Sequence, residues 1–225
     1  MKITYIGHSG FLVELENHYL LFDYFEGDLP VLDSNKKLLI FSSHNHHDHY
    51  NPKIWKLNHS TDNTIYILSF DIPLIDTQMK NVYQMKPYEN LSLDDGKIVI
   101  HTFKSTDEGV AFLVEISGKV IYHAGDLNMW KWEEESDKYN KAMEDNYLKE
   151  LELIQKYRID IAFLPLDPRQ ERYAYDGIKS FVEKVNSKMI FPMHFWKDYS
   201  VIEKFKTDTQ ISIMNIEYEG QEYTF

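Results

Sequence analysis

Cysteine is absent from the 225-residue chain. Its absence excludes disulfides and thiolate metal ligands and favours a reducing compartment. Long apolar runs are missing as well. None approaches the ~20 residues that a membrane-spanning helix needs, so no membrane association is expected. The opening residues Met1-Lys2-Ile3-Thr4-Tyr5-Ile6 alternate in polarity and are too short for the apolar core of a signal peptide. The expected location is cytoplasmic. Positive charge is scarce: 24 Lys and Arg stand against 36 Asp and Glu, a net charge of -12. That balance opposes polyanions, and nucleic acid is not an expected partner. No Gly-x-Ser-x-Gly elbow for a serine nucleophile occurs. Repeats, low-complexity segments and linkers are also lacking. A single domain over residues 1–225 is expected, with length enough for a sizeable core.

What is present reads as a layered α/β protein. Hydrophobic content of 43% and charged content of 27% are ordinary for a globular chain. Aromatics reach 15%, which suits a β-rich core or an aromatic-lined pocket. Ile3–Tyr5 and Phe11–Leu15 alternate around the turn Gly7-His8-Ser9-Gly10, as paired strands do. Tyr19–Phe22 ends at Asp23, and Leu38–Phe41 is short and continuously apolar, as a fully buried strand would be. Asn51-Pro52 opens a short helix through Trp55 and Leu57. Further strands are expected at 64–68, 97–103, 110–116, 120–122, 159–164 and 189–193, and a last pair over 211–225 around Gly220. Helical spacing of Tyr147, Leu148, Leu151 and Ile154 predicts a helix from about Glu144 to Arg158. Ile178, Phe181 and Val185 predict another from about Asp176 to Ser187. The acidic stretch Trp130 to Asn146 reads as a surface excursion or lid.

Four of the ten histidines fall within Ser43-His44-Asn45-His46-His47-Asp48-His49. The pattern His-x-His-x-Asp-His follows directly on an apolar strand. If the chain stays extended, His44 and His46 point the same way. Imidazole and carboxylate without thiolate suit zinc, and also iron, manganese or nickel. Two more polar groups follow later apolar strands: Asp126 after Ile121-Tyr122-His123-Ala124-Gly125, and His194 after Phe191-Pro192-Met193.

A strand into His-x-His-x-Asp-His, a later strand into Gly-Asp and a final strand into His resemble the metallo-β-lactamase superfamily over essentially the whole chain. Gly7-His8-Ser9-Gly10 and Asp23 look like its compact, uncharacterised hydrolase members. The resemblance implies a four-layer αββα sandwich and a binuclear zinc hydrolase site, with Mn2+ or Fe2+ as other metals. His44 and His46 would serve the first ion. Asp48, His49 and His194 would serve the second, and Asp126 would bridge. A metal-activated water or hydroxide, oriented by Asp48 as catalytic residue, would attack a small ester, lactone, amide or phosphodiester. The alternative within the same fold is a non-catalytic or redox metal-binding protein.

One departure stands out. The family usually takes a third histidine for the first ion from the loop that here reads Phe103-Lys104-Ser105-Thr106-Asp107-Glu108-Gly109. His101 should lie in the preceding strand. Asp107 or Glu108 substitutes, or water fills a weak first site, or only the second site holds metal. Ser105 and Thr106 are candidates to hydrogen-bond nearby, and a plain hairpin turn is the other reading of this loop. Asp23 is a candidate partner for a ligating imidazole. His8 and His123 would back the ligands or face substrate, and His47 points elsewhere. Arg169, after Leu166-Asp167-Pro168, either clamps an anionic substrate group or is a surface arginine beyond a turn. Asp167 itself stands where a ligand or a ligand's partner would stand. Trp130, Trp132 and Trp196 either wall a pocket or pack in the core.

Overall fold

The run Leu38-Leu39-Ile40-Phe41 has no polar member. A strand can bury such a run only inside a sheet that is covered on both faces. In the computed structural model, which describes residues 1–57, 63–74 and 81–225, that is where it lies. The four side chains are all 0% exposed. The strand containing them, β4 (Lys37–Ser42), pairs in parallel with β3 (His18–Phe22) on one side and β5 (Thr64–Ser69) on the other.

The chain forms two compact units, Met1–Lys86 with Glu217–Phe225, and Pro87–Ile216. The first unit adds β1 (Lys2–Gly7) and β2 (Gly10–Glu14), antiparallel around the turn that holds His8, and β6 (Val82–Met85) parallel to β5. The second unit holds β7 (Asn90–Leu93), β8 (Ile98–Lys104), β9 (Val110–Ile116), β10 (Lys119–His123), β11 (Ile159–Pro165) and β12 (Ser187–Met193) in the order β12-β11-β10-β9-β8-β7. Strands β7 to β10 run as an antiparallel meander, while β10, β11 and β12 are parallel. Parallel neighbours need crossovers. Helix α1 (Asp137–Ile154) supplies one and α2 (Asp176–Lys184) the other. A third helix, α3 (Ser200–Thr209), follows β12. The last strand, β13 (Glu222–Thr224), returns to the first unit and pairs with β1.

Several expectations need correction. Helix α1 begins at Asp137, well before Glu144, and the Ser136 hydroxyl caps it by accepting from the Tyr139 N–H. Its first half is mostly exposed, with Tyr139, Ala142 and Met143 among charged residues and Asn140 its one buried side chain, so a core-facing apolar stripe does not mark it. Much of the acidic stretch from Trp130 to Asn146 is therefore helix. Helix α2 stops at Lys184 rather than Ser187. The helix after Asn51 is a single 3-10 turn, Pro52–Lys56. Of the two strands expected at the C-terminus, one forms. Met214 N–H donates to Ile190 O at 2.8 Å, so that segment meets the edge of β12 without building a ladder. Strands β6 and β7 were not expected, being short and partly exposed, and neither was helix α3, although its Val201, Ile202 and Phe205 lie at helical spacing and are buried.

Phe41 stacks on Phe22 across β3 and β4, with ring centroids 4.6 Å apart and planes at 21°. Replacing Phe41 with alanine in this closed interior should cost about 3–5 kcal/mol. The check is the free energy of urea unfolding; a loss under about 1 kcal/mol would show that the site is not packed as described.

Candidate metal centre

The first unit gathers its chemistry at the carboxyl ends of β3 and β4. Phe22 and Phe41 are register partners, so Asp23 arrives beside Ser42 and Ser43. Asp23 is fully buried. Its Oδ1 accepts the Ser43 N–H at 2.7 Å and its Oδ2 accepts the Ser43 hydroxyl at 2.7 Å. The same Oδ2 lies 2.8 Å from His49 Nδ1. A carboxylate at that distance holds the proton on Nδ1 and makes Nε2 the candidate metal-binding nitrogen. Because the Ser43 hydroxyl donates to Asp23, its oxygen accepts from His44 Nδ1, 3.0 Å away. His44 is thereby set in the same tautomer.

The histidine cluster is not extended. Residues 45–49 bend and turn, with His49 and Tyr50 N–H both donating to His46 O. This turn, and not strand alternation, brings the rings together. The His44 centroid lies 4.5 Å from that of His46 and 4.2 Å from that of His49. Asn45 N–H donates to the Asp71 carboxylate at 2.8 Å and anchors the start of the turn. His47 faces out, its side chain 88% exposed. Asp48 points in, and His8 Nε2 stands 3.3 Å from its Oδ2. One donor atom from each of His8, Asp48 and His49 lies within 4.8 Å of the other two, and those of His44 and His46 meet the same limit. Burial works against ionising Asp48, but contact with His8 and the nearby His49 overcomes it and holds the carboxyl well below its usual range.

The second unit carries a matching arrangement. Asp126 follows β10 through Ala124 and Gly125 and is 5% exposed. His123 is buried, and its Nδ1 accepts the Gly125 N–H at 3.1 Å, so it braces the turn that presents Asp126. Trp130 Nε1 donates to the Asp126 carbonyl at 2.8 Å. His194 Nε2 lies 3.5 Å from Asp126 Oδ1, and His194 Nδ1 lies 2.9 Å from Asp167 Oδ2. Asp167 plays toward His194 the part that Asp23 plays toward His49. It also accepts from the Arg169 backbone N–H, the Arg169 guanidinium and Trp196 Nε1. Burial raises the Asp167 pKa, and the His194 and Arg169 contacts reverse that and bring it to about 2. The Arg169 guanidinium lies 4.4 Å above the Trp196 ring.

The donor set fits a divalent ion: buried imidazoles and carboxylates, no thiolate, and Nδ1 edges held by a carboxylate or a hydroxyl. Comparison with known proteins agrees. The model of the beta-lactamase superfamily domain matches residues 2–142. The chain belongs to this superfamily. A metal-dependent hydrolase of Alkaliphilus metalliredigens is 27% identical over 96% of the chain and 98% of its own length. Among solved structures, a metallo hydrolase of the archaeon Ignicoccus hospitalis superposes with a TM-score of 0.67 at 18% identity, covering 100% of this chain and 98% of that one. A diiron β-hydroxylase of Streptomyces venezuelae superposes at 0.61 and 12% identity, covering 100% of this chain and 54% of that one. The fold is the mixed α/β fold of the metallo-β-lactamase superfamily.

Within this superfamily fold, the loop lacking the usual histidine is a working turn. Ser105 Oγ accepts the Asp107 N–H at 3.1 Å. Thr106 Oγ1 donates to Asn128 O at 2.5 Å and accepts from Asn128 N–H at 3.0 Å, tying the loop to the segment after Asp126. Asp107 and Glu108 are exposed. Asp107 lines a cavity of about 240 Å³ with Tyr88, Lys104 and Glu150. The Trp130 and Trp132 rings stack 6.1 Å apart. Ser43 escaped sequence reasoning, since a serine next to a histidine carries no signal of its own.

Asp167→Asn tests the His194 support. The folded pKa of about 2 lies below the ordinary 3.8, so the carboxylate stabilises the fold above about pH 4 and loses that effect as pH falls toward 2. The variant should be about 2 kcal/mol less stable at neutral pH, with the gap closing between those values. Unfolding free energies measured across that range check it, and a gap independent of pH would sink it.

Proposed function

We propose that this protein is a metal-dependent hydrolase acting on a small ester, lactone, amide or phosphodiester in the cytoplasm, with two zinc ions, or Mn2+ or Fe2+ in their place. His44, His46 and Asp126 would hold one ion, and Asp48, His49 and His194 the other, with Asp126 shared. A bound divalent ion supplies an acidified water at neutral pH and polarises the bond under attack. The Asp48 carboxylate, kept ionised by its surroundings, accepts a hydrogen bond from the attacking water and orients it. Asp23, through Ser43 and His49, and Asp167, through His194, keep the imidazoles in the tautomer that leaves Nε2 for a metal. The Arg169 guanidinium, half exposed beside Trp196, stands as a candidate contact for an anionic substrate group.

The observation that carries this reading is the buried His and Asp donor set with carboxylate-braced Nδ1 edges. The relatives named as metal-dependent hydrolases support it. Among the described residues no helix is long and apolar enough to cross a membrane.

Metal analysis together with a panel of chromogenic esters, lactones, amides and phosphodiesters tests the reading. The expected result is two equivalents of metal and turnover on at least one class. His46→Ala and Asp126→Asn should each lower kcat/KM at least a hundredfold, about 2.7 kcal/mol of transition-state stabilisation. Bound iron that changes oxidation state while no class is hydrolysed, or full metal occupancy without turnover on any class, would overturn it.

A further inference from the structure

His8, in the turn between β1 and β2, lies beside two of the candidate ligands of the second ion. We propose that His8 is itself a metal ligand, joining Asp48 and His49 in a three-donor site built wholly within the first unit. The proposal rests on the metal-site reading above and adds a ligand that His-x-His-x-Asp-His does not contain.

Among the described residues, His–carboxylate contacts of buried or half-buried imidazoles fall into two distance groups; the exposed His47 lies 3.7 Å from Asp48. His49 meets Asp23 at 2.8 Å, His194 meets Asp167 at 2.9 Å and His101 meets Glu115 at 2.8 Å. These are ordinary charge-assisted hydrogen bonds. His8 meets Asp48 at 3.3 Å, and His194 meets Asp126 at 3.5 Å. Two donors each about 2.1 Å from one tetrahedral ion lie about 3.4 Å apart. The longer pair matches two ligands of a shared ion. His8 falls in the same class as the His194–Asp126 pair, both members of which are proposed ligands on independent grounds.

Burial and backbone agree. His8 is 6% exposed, and its ring packs edge-on against Phe25 and His49, with centroids 5.9 and 5.6 Å away. Its φ is +51°, in the left-handed region that a histidine adopts at a cost. Asn or Gly would hold such a turn with less strain. The imidazole turns inward onto Asp48. Two imidazoles and one carboxylate from one unit form a ligand set that suits zinc or iron.

Cobalt(II) titration of the full chain, followed by visible absorbance and by the imidazole count from X-ray absorption, tests this. His8→Ala removes the donor, and His8→Asn does so with a residue suited to positive φ, so that a folding defect in the first does not decide the outcome. The exposed His47→Ala is the control. Both His8 variants should lose one imidazole from the coordination sphere and bind one cobalt at least tenfold more weakly, and added imidazole should restore the site in His8→Ala. The tenfold threshold is the lower bound of what even an outer partner of a ligand contributes. Affinity within threefold of the parent, or weaker binding with an unchanged imidazole count, would overturn the proposal and leave the metal-site reading standing. A parent protein that binds no cobalt would overturn both.

Discussion

Asp23 is the constraint on which the first half of the candidate centre depends. A buried carboxylate is expensive to desolvate, by several kcal/mol, unless hydrogen bonds replace the lost water. Here the Ser43 backbone N–H, the Ser43 hydroxyl and the His49 ring all serve it. The same three bonds fix where the chain goes after β4 and make Nε2 the candidate metal-facing nitrogen of His49 and His44. One interaction thus closes a strand end, satisfies a buried charge and sets two tautomers. It is available only because β3 and β4 run parallel in register, so that both deliver their following residues at the same end.

Asp167 repeats the device in the second unit, at the end of β11, for a histidine at the end of the parallel neighbour β12. Here Arg169 and Trp196 add further bonds to the carboxylate. The recurrence has a simple physical basis. A metal ligand must hold its orientation against thermal motion, and a rigid strand end plus a buried carboxylate does that better than a loop alone. The backbone carries the strain. His8, Asp23 and His194 all have positive φ, at +51°, +41° and +64°. Residues held there cost of order 1–3 kcal/mol each. The apolar strands before them, with side chains at or near 0% exposure, supply the stability that offsets it.

Legibility differed by residue. The buried strand before His44 and the helical face of Tyr147, Leu151 and Ile154 were readable, because apolar runs and helical periods leave direct marks in sequence, and His44, His46, Asp48, His49, Asp126 and His194 were readable as candidate donors by residue type. Asp23 was readable only as a candidate partner. Helix α1 was misplaced at its start because its first half lies on the surface and carries no core-facing apolar stripe. Ser43 was invisible, since its role depends on an oxygen reached across a strand pair. Arg169 was legible as a charge after a turn, but not as a group bound to Asp167 and stacked on Trp196.

The division follows from the range of the forces involved. Covalent order and local spacing settle which residue types follow which strands, and so the sequence by itself determined the fold family and which residues are candidate donors. Hydrogen bonds between residues far apart in the chain settle orientation, and only the tertiary structure decided those. That Asp23 bonds His49, 26 residues on, and Asp167 bonds His194, 27 residues on, is a consequence of parallel strand pairing. That His8 turns in against Asp48, 40 residues away by their numbers, is a consequence of where the β1–β2 turn folds. No local pattern encodes either fact, because each depends on which strands become neighbours.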